Sequence, residues 1–348
     1  MTDVSEFIRA MPKAELHVHL EGTLEGDLLL VMAERNKIEL PFDDPDGIRR
    51  MQNETKTGVT NNLVNFLRCL DICREAMRTA QDYYDTAMAF VRRSAEENVV
   101  YLEITFDPQQ AVRQGVPLSQ CIDALRRAQR DARRDHNVEI QWIACFQRDH
   151  SPQNAMETLI QLDPHQDAIV GVGLDNFETP NFPALFEPVM TAARERGYRL
   201  TSHCDVNQPD SLAHIGECVD LLGVERIDHG LNTAQDPALV EKVVNRRIAL
   251  TGCPTFHVSM TSAPEDRIAM IKTLFDAGAL ISLNTDDPAQ FGSGYLSHTL
   301  AACQSAGGFS DNDMLHFMRN TFDSAWINES ARSKYLSMLD QFQDASAA

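Results

Sequence analysis

Eight short apolar runs, most of them separated by helical stretches, organise this chain. They fall at 14–20, 99–106, 138–146, 168–174, 197–203, 224–229, 247–252 and 279–284. Runs of this length, rich in Val, Ile and Leu, read as strands. Amphipathic helical patterns lie between most of them, clearest over 83–98, 118–135, 181–196 and 210–222. Gly197 and Gly223 stand where helix C-caps would lead into the next strand. Such alternation builds parallel sheets. Eight βα units in one uninterrupted succession predict a (β/α)8 TIM barrel, α/β in class.

The 348 residues exceed the length of most single domains but suit one barrel. No linker, low-complexity segment or internal repeat divides the chain, so 1–348 reads as a single domain. A helical excursion follows the first strand over about 24–80 and includes a stretch at 41–60 rich in Asp, Asn, Thr and Pro. A helical C-terminal appendage covers about 310–345.

Formal net charge is −20, and a surface that negative repels phosphate backbones. A nucleic-acid polymer is therefore excluded as a partner, whereas a small neutral or cationic substrate is not. No run of 18 apolar residues is present to cross a membrane, and the acidic, polar start is wrong for a secretory signal. The eight cysteines are scattered with no Cys-x-x-Cys, which predicts reduced, mostly structural thiols and a cytoplasmic location.

Barrel chemistry is built at the carboxyl ends of the strands. The first run carries His17 and His19, two residues apart and so on one face of a strand. The fifth ends in His203-Cys204-Asp205, the sixth in Asp228-His229-Gly230, and the eighth in Asn284-Thr285-Asp286-Asp287-Pro288. The other seven histidines fall mostly in helices or loops. Three imidazoles and one carboxylate form a ligand set suited to Zn²⁺, ahead of Fe²⁺ or Mn²⁺. His17, His19, His203 and Asp286 are the expected ligands of one zinc per chain. Such a set leaves room for a water and lowers its pKa towards about 7. His229 is then expected to orient that water and act as base, with Asp287 hydrogen-bonding a substrate nitrogen.

The chain resembles the adenosine/adenine deaminase family within the amidohydrolase barrels. The resemblance runs from Met11-Pro12-Lys13-Ala14-Glu15-Leu16-His17-Val18-His19-Leu20-Glu21-Gly22 through Gly171-Val172-Gly173-Leu174-Asp175 and Arg226-Ile227-Asp228-His229-Gly230 to Cys253-Pro254 and Asn284-Thr285-Asp286-Asp287-Pro288. It implies hydrolytic deamination of a purine-type heterocycle, releasing ammonia, with His19 close to substrate as well as metal. It further implies that the excursion after the first strand helps to cover the pocket.

The family usually carries His-Ala-Gly-Glu after strand five, the Glu protonating the purine ring. Here the tetrapeptide is His203-Cys204-Asp205-Val206, and Val206 cannot donate a proton. Asp205, one position earlier, is the expected substitute acid. Asn176-Phe177 replaces the small residues expected after strand four, which places Asn176 among the substrate-binding candidates. Thr255-Phe256-His257-Val258 departs from the family pattern after strand seven. An intact ligand set beside an altered substrate-reading side predicts a working hydrolase whose substrate differs from plain adenosine. The alternatives are a barrel hydrolase of another heterocycle or cyclic amide and a non-catalytic metal-binding relative.

Overall fold

The computed structural model describes residues 3–55, 62–204, 209–254, 264–291 and 294–346. Eight strands pair in sequence order, every pair parallel: β1 (Lys13–Glu15), β2 (Val99–Phe106), β3 (Glu139–Gln147), β4 (Ile169–Asp175), β5 (Arg199–Cys204), β6 (Arg226–His229), β7 (Ala249–Gly252) and β8 (Ile281–Leu283). The seam between β8 and β1 is bridged just beyond both strands. Asp286 N donates to His17 O at 3.2 Å and His19 N to Asp286 O at 3.0 Å. The architecture is the expected (β/α)8 barrel.

The first strand is shorter than the apolar run suggests. Its ladder ends at Glu15, and the chain beyond makes isolated bridges, Val18 to Asp286 and His19 to Thr105. His17 and His19 thus lie on a segment crossing the barrel mouth, with neighbours on both sides.

In Ala80–Glu96 the buried Tyr83, Ala87, Phe90, Val91 and Ser94 recur at helical spacing. Thr79 and Asp82 form a capping box that fixes where this helix starts. The excursion folds as helices Gly26–Asn36, Gly47–Thr55 and Asn62–Ala76, and the C-terminal segment as Asp311–Ser324 and Glu329–Ser346. The stretch expected as one helix over 210–222 divides: Ser211–Glu217 is α-helical and Cys218–Leu222 forms a π-helical turn. That turn closes at Gly223, whose φ of 59° is left-handed and suits glycine. Among the described residues no helix is long and apolar enough to cross a membrane. All eight cysteines are buried and free of disulfide partners.

The floor of the barrel is polar. Arg226 donates to Glu103 Oε2 at 2.5 Å, while Tyr101 Oη and Trp326 N donate to Glu103 Oε1. Trp326 lies against Gly171, where an added Cβ would come within 2.3 Å of the indole. The missing side chain of Gly171 is what admits the ring.

Candidate active site

Three histidines and one aspartate converge at the barrel mouth. His19 Nε2 lies 3.0 Å from His203 Nε2, and Asp286 Oδ1 is 3.3 Å from both His17 Nε2 and His19 Nε2. All four side chains are buried, and their candidate ligand atoms lie within 4.8 Å of one another.

The neighbours of each ring fix its tautomer. His203 Nδ1 is 3.1 Å from Leu174 O, which can only accept, so Nδ1 carries the proton. His17 Nδ1 is 2.8 Å from Thr251 Oγ1, whose own proton goes to Asp228. His19 Nδ1 is 3.0 Å from Thr105 Oγ1, which donates to Val18 O. Both hydroxyls therefore accept from the imidazoles. All three Nε2 atoms are left with lone pairs facing the same point, and His17 Nε2 has no hydrogen-bond partner. Crowded lone pairs beside a carboxylate repel one another unless a cation sits among them. The donor set fits Zn²⁺, with each ring oriented through its other nitrogen as in well-built metal sites.

The electrostatics agree. Burial opposes charge on His17, yet the carboxylates of Asp286, Asp228 and Asp287 hold its pKa up at about 9. The pocket favours positive charge at its centre. Burial also acts on His229, and with the charge of His17 it brings this histidine down to about 3, so the ring is neutral. His229 Nε2 stands 3.7 Å from Asp286 Oδ2, and its ring centroid is 4.7 Å from that of His17. Burial and the neighbouring Asp286 charge push Asp287 well above the usual carboxylate range. Asp175 is likewise pushed up, by burial and then by Asp107, and lies 3.7 Å from His19 Nδ1.

Backbone conformation aims these side chains. His229, Asp286 and Asn176 have φ values of 62°, 66° and 64°. Left-handed conformations are uncommon away from glycine and concentrate at functional sites. Each falls where a strand turns into its loop.

The cavity above the cluster is lined by His19, His203, His229, Asp175, Asn176 and Asp287, with Phe66, Leu67 and Leu70 as its apolar wall. That wall comes from the helix Asn62–Ala76, so the excursion does cover the pocket. Asn176 lines the cavity, but its amide nitrogen is engaged by Asp149 at 2.8 Å. Asp205 and Val206 lie outside the described residues, as does 255–258.

Sequence reasoning passed over the residues behind the ligands. Asp228 accepts from Thr201 and Thr251 and stands 3.5 Å from His203 Nδ1 and 4.0 Å from His17 Nδ1. Arg148 binds the carbonyls of His203 and Asn176, tying the ends of β4 and β5 together. The signal for Asp228 was its place two residues after Arg226 on an inward-facing strand. Thr105, Thr251 and Arg148 carried none.

A family model described as adenosine deaminase matches residues 12–342. An uncharacterized deaminase of Schizosaccharomyces pombe is 38% identical, covering 99% of each chain. Among solved structures, an adenine deaminase from Arthrobacter aurescens superposes with a TM-score of 0.88 at 32% identity, over 96% of this chain and 100% of that one. An amidohydrolase from Burkholderia ambifaria with bound Zn gives a TM-score of 0.88 at 26% identity, over 99% of this chain and 96% of that one.

Proposed function

Because this chain belongs to the adenosine deaminase family and is a hydrolytic deaminase of a purine, we propose that it converts adenine to its 6-oxo product and ammonia at a single zinc site. What carries this reading is the convergence of ring nitrogens of His17, His19 and His203 with a carboxylate oxygen of Asp286, all within 4.8 Å of one another, at the base of the cavity. His17, His19, His203 and Asp286 would hold the metal, which when bound supplies Lewis acidity and an activated water at neutral pH.

The remaining roles belong to side chains. His229 lines the cavity beside Asp286 and offers a ring nitrogen to take the proton of the attacking water. Asp287, favoured in its protonated form, donates to a ring nitrogen of the purine and orients it. Asp205 supplies the proton that neutralises electron density on the ring as water adds to the amine-bearing carbon. His19 and Asn176 bound the substrate's edge. Phe66 and Leu70 exclude bulk water from the ring face.

The choice of adenine over adenosine is supported by the similarity to the Arthrobacter adenine deaminase and by the apolar wall beside the cluster. Val206, in place of the family's glutamate, favours a second reading in which another aminopurine is the better substrate. Ammonia release from adenine, adenosine and a panel of aminopurines tests both. The highest kcat/KM on adenine supports the first, and a clear preference for another aminopurine supports the second. Turnover of adenosine ahead of every free base overturns the proposal.

A further inference from the structure

A second cavity, of about 310 Å³, opens at the opposite end of the barrel, where the strands begin. A volume of that size exceeds the roughly 30 Å³ share of one water and reaches the range of about 300–1,000 Å³ typical of ligand pockets. Its walls carry four arginines, Arg199, Arg246, Arg247 and Arg332, against two carboxylates, Glu225 and Asp323. In a chain with net charge −20 the lining side chains carry an excess of arginine, offset from outside the lining by Asp220 and Glu329, which pair with Arg246 and Arg332. Arg247 sits in a left-handed turn, φ 54°, just before β7, and its side chain makes no hydrogen bond or ion pair among the described residues.

Two of the other three arginines are held loosely. Arg199 and Arg246 pair with Glu225 and Asp220, and their side chains are 55% and 51% exposed. Arg332 is held more firmly, pairing with Glu329 and donating to Phe322 O at 3.3 Å and Ala325 O at 3.2 Å, with its side chain 26% exposed. Exposed pairs such as those of Arg199 and Arg246 contribute little and exchange readily for a better anion. Guanidinium groups bind phosphate through paired, charge-assisted hydrogen bonds. Trp326 lines one wall, and its buried indole packs against Gly171 with the Arg226 guanidinium carbon 4.0 Å from the ring. Arg226 is itself paired, its Nη1 donating to Glu103 Oε2 at 2.5 Å and its Nε lying 3.6 Å from Asp228 Oδ1, so it adds no free charge to the cavity.

We propose that this cavity is a binding site for a phosphate dianion, either inorganic phosphate or the phosphate of a small monoester, distinct from the purine site at the other mouth. Barrel enzymes usually place phosphate groups at the carboxyl face. Here the arginines stand on the opposite face, so the ligand would act apart from the chemistry.

Trp326 reports on the site, because the chain has two tryptophans and the other, Trp142, is fully buried elsewhere. The full-length, metal-loaded protein is titrated with inorganic phosphate, ribose 5-phosphate and ribose by calorimetry and tryptophan fluorescence, with sodium chloride at matched ionic strength as control. Saturable binding of one phosphate per chain with a fluorescence change is expected. Tighter binding of ribose 5-phosphate assigns the site to a phosphorylated metabolite, and equal affinity assigns it to free phosphate. Arg247→Ala should weaken binding at least fivefold, and Arg199→Ala with Arg247→Ala should abolish it. Trp326→Phe should remove the optical signal while the calorimetric one persists. Heat no greater than with chloride, or unchanged affinity in the double variant, overturns the proposal.

Discussion

Gly22 abuts Asp287 so closely that a Cβ at position 22 would lie 1.7 Å from Asp287 Oδ1. The carboxylate occupies the space a side chain would take, so glycine is required here by contact and not by backbone angle. Gly22→Ala must push Asp287 out of place. Misplacement by about 1 Å costs on the order of a hundredfold in rate. The variant is expected to retain its metal and lose about a hundredfold in kcat/KM for adenine, as read by ammonia release. Near-normal kinetics would remove Asp287 from substrate binding.

Thr251 fixes the tautomer of His17 by accepting from Nδ1 while donating to Asp228. Loss of such an orienting partner typically weakens metal binding about 10–100-fold. Thr251→Val should therefore release zinc to a competing chelator at correspondingly lower concentration, with the fold intact by circular dichroism. Unchanged zinc affinity would mean that the surrounding packing alone orients His17.

His229 stands near Asp286 without belonging to the four converging candidate ligands. A positioned base is worth roughly 10²–10⁴-fold in rate. His229→Ala is expected to hold its full complement of metal and to lose kcat by that amount. Loss of the metal with the activity would place His229 among the ligands.

Asp205 follows His203 by two residues, where Val206 holds the family's glutamate position. If it donates the ring proton, Asp205→Asn should keep the metal and lower kcat by about a hundredfold or more. A near-normal kcat would shift the acid role to another carboxylate of the cavity, Asp175 or Asp287.

Much of this site is legible in the sequence because the barrel places strand ends together, so motifs hundreds of residues apart need only be read as ends. His17 and Asp286, just beyond β1 and β8, come together with His203 of β5 on that logic alone. What periodicity could not show is how the chain behaves after a ladder stops. The run 14–20 alternates like a strand throughout, yet pairs as one only to Glu15, because beyond it the chain bridges Asp286 and Thr105 singly. The left-handed turns at His229 and Asp286 were equally hidden, since no glycine marks either position. Residues that orient ligands from behind, such as Thr105 and Thr251, look like ordinary strand threonines. Their role exists only once the barrel closes.

In the proposed function His17, His19, His203 and Asp286 form one zinc site on which deamination depends. Zinc content and ammonia release from adenine, measured together on the same preparation before chelation, after chelation and after zinc is restored, test it most directly. About one zinc per chain, activity lost with the metal and regained with it, and neither recovered in His17→Ala, are the expected results. Full activity in metal-free protein, or full zinc occupancy in His17→Ala, would contradict the account.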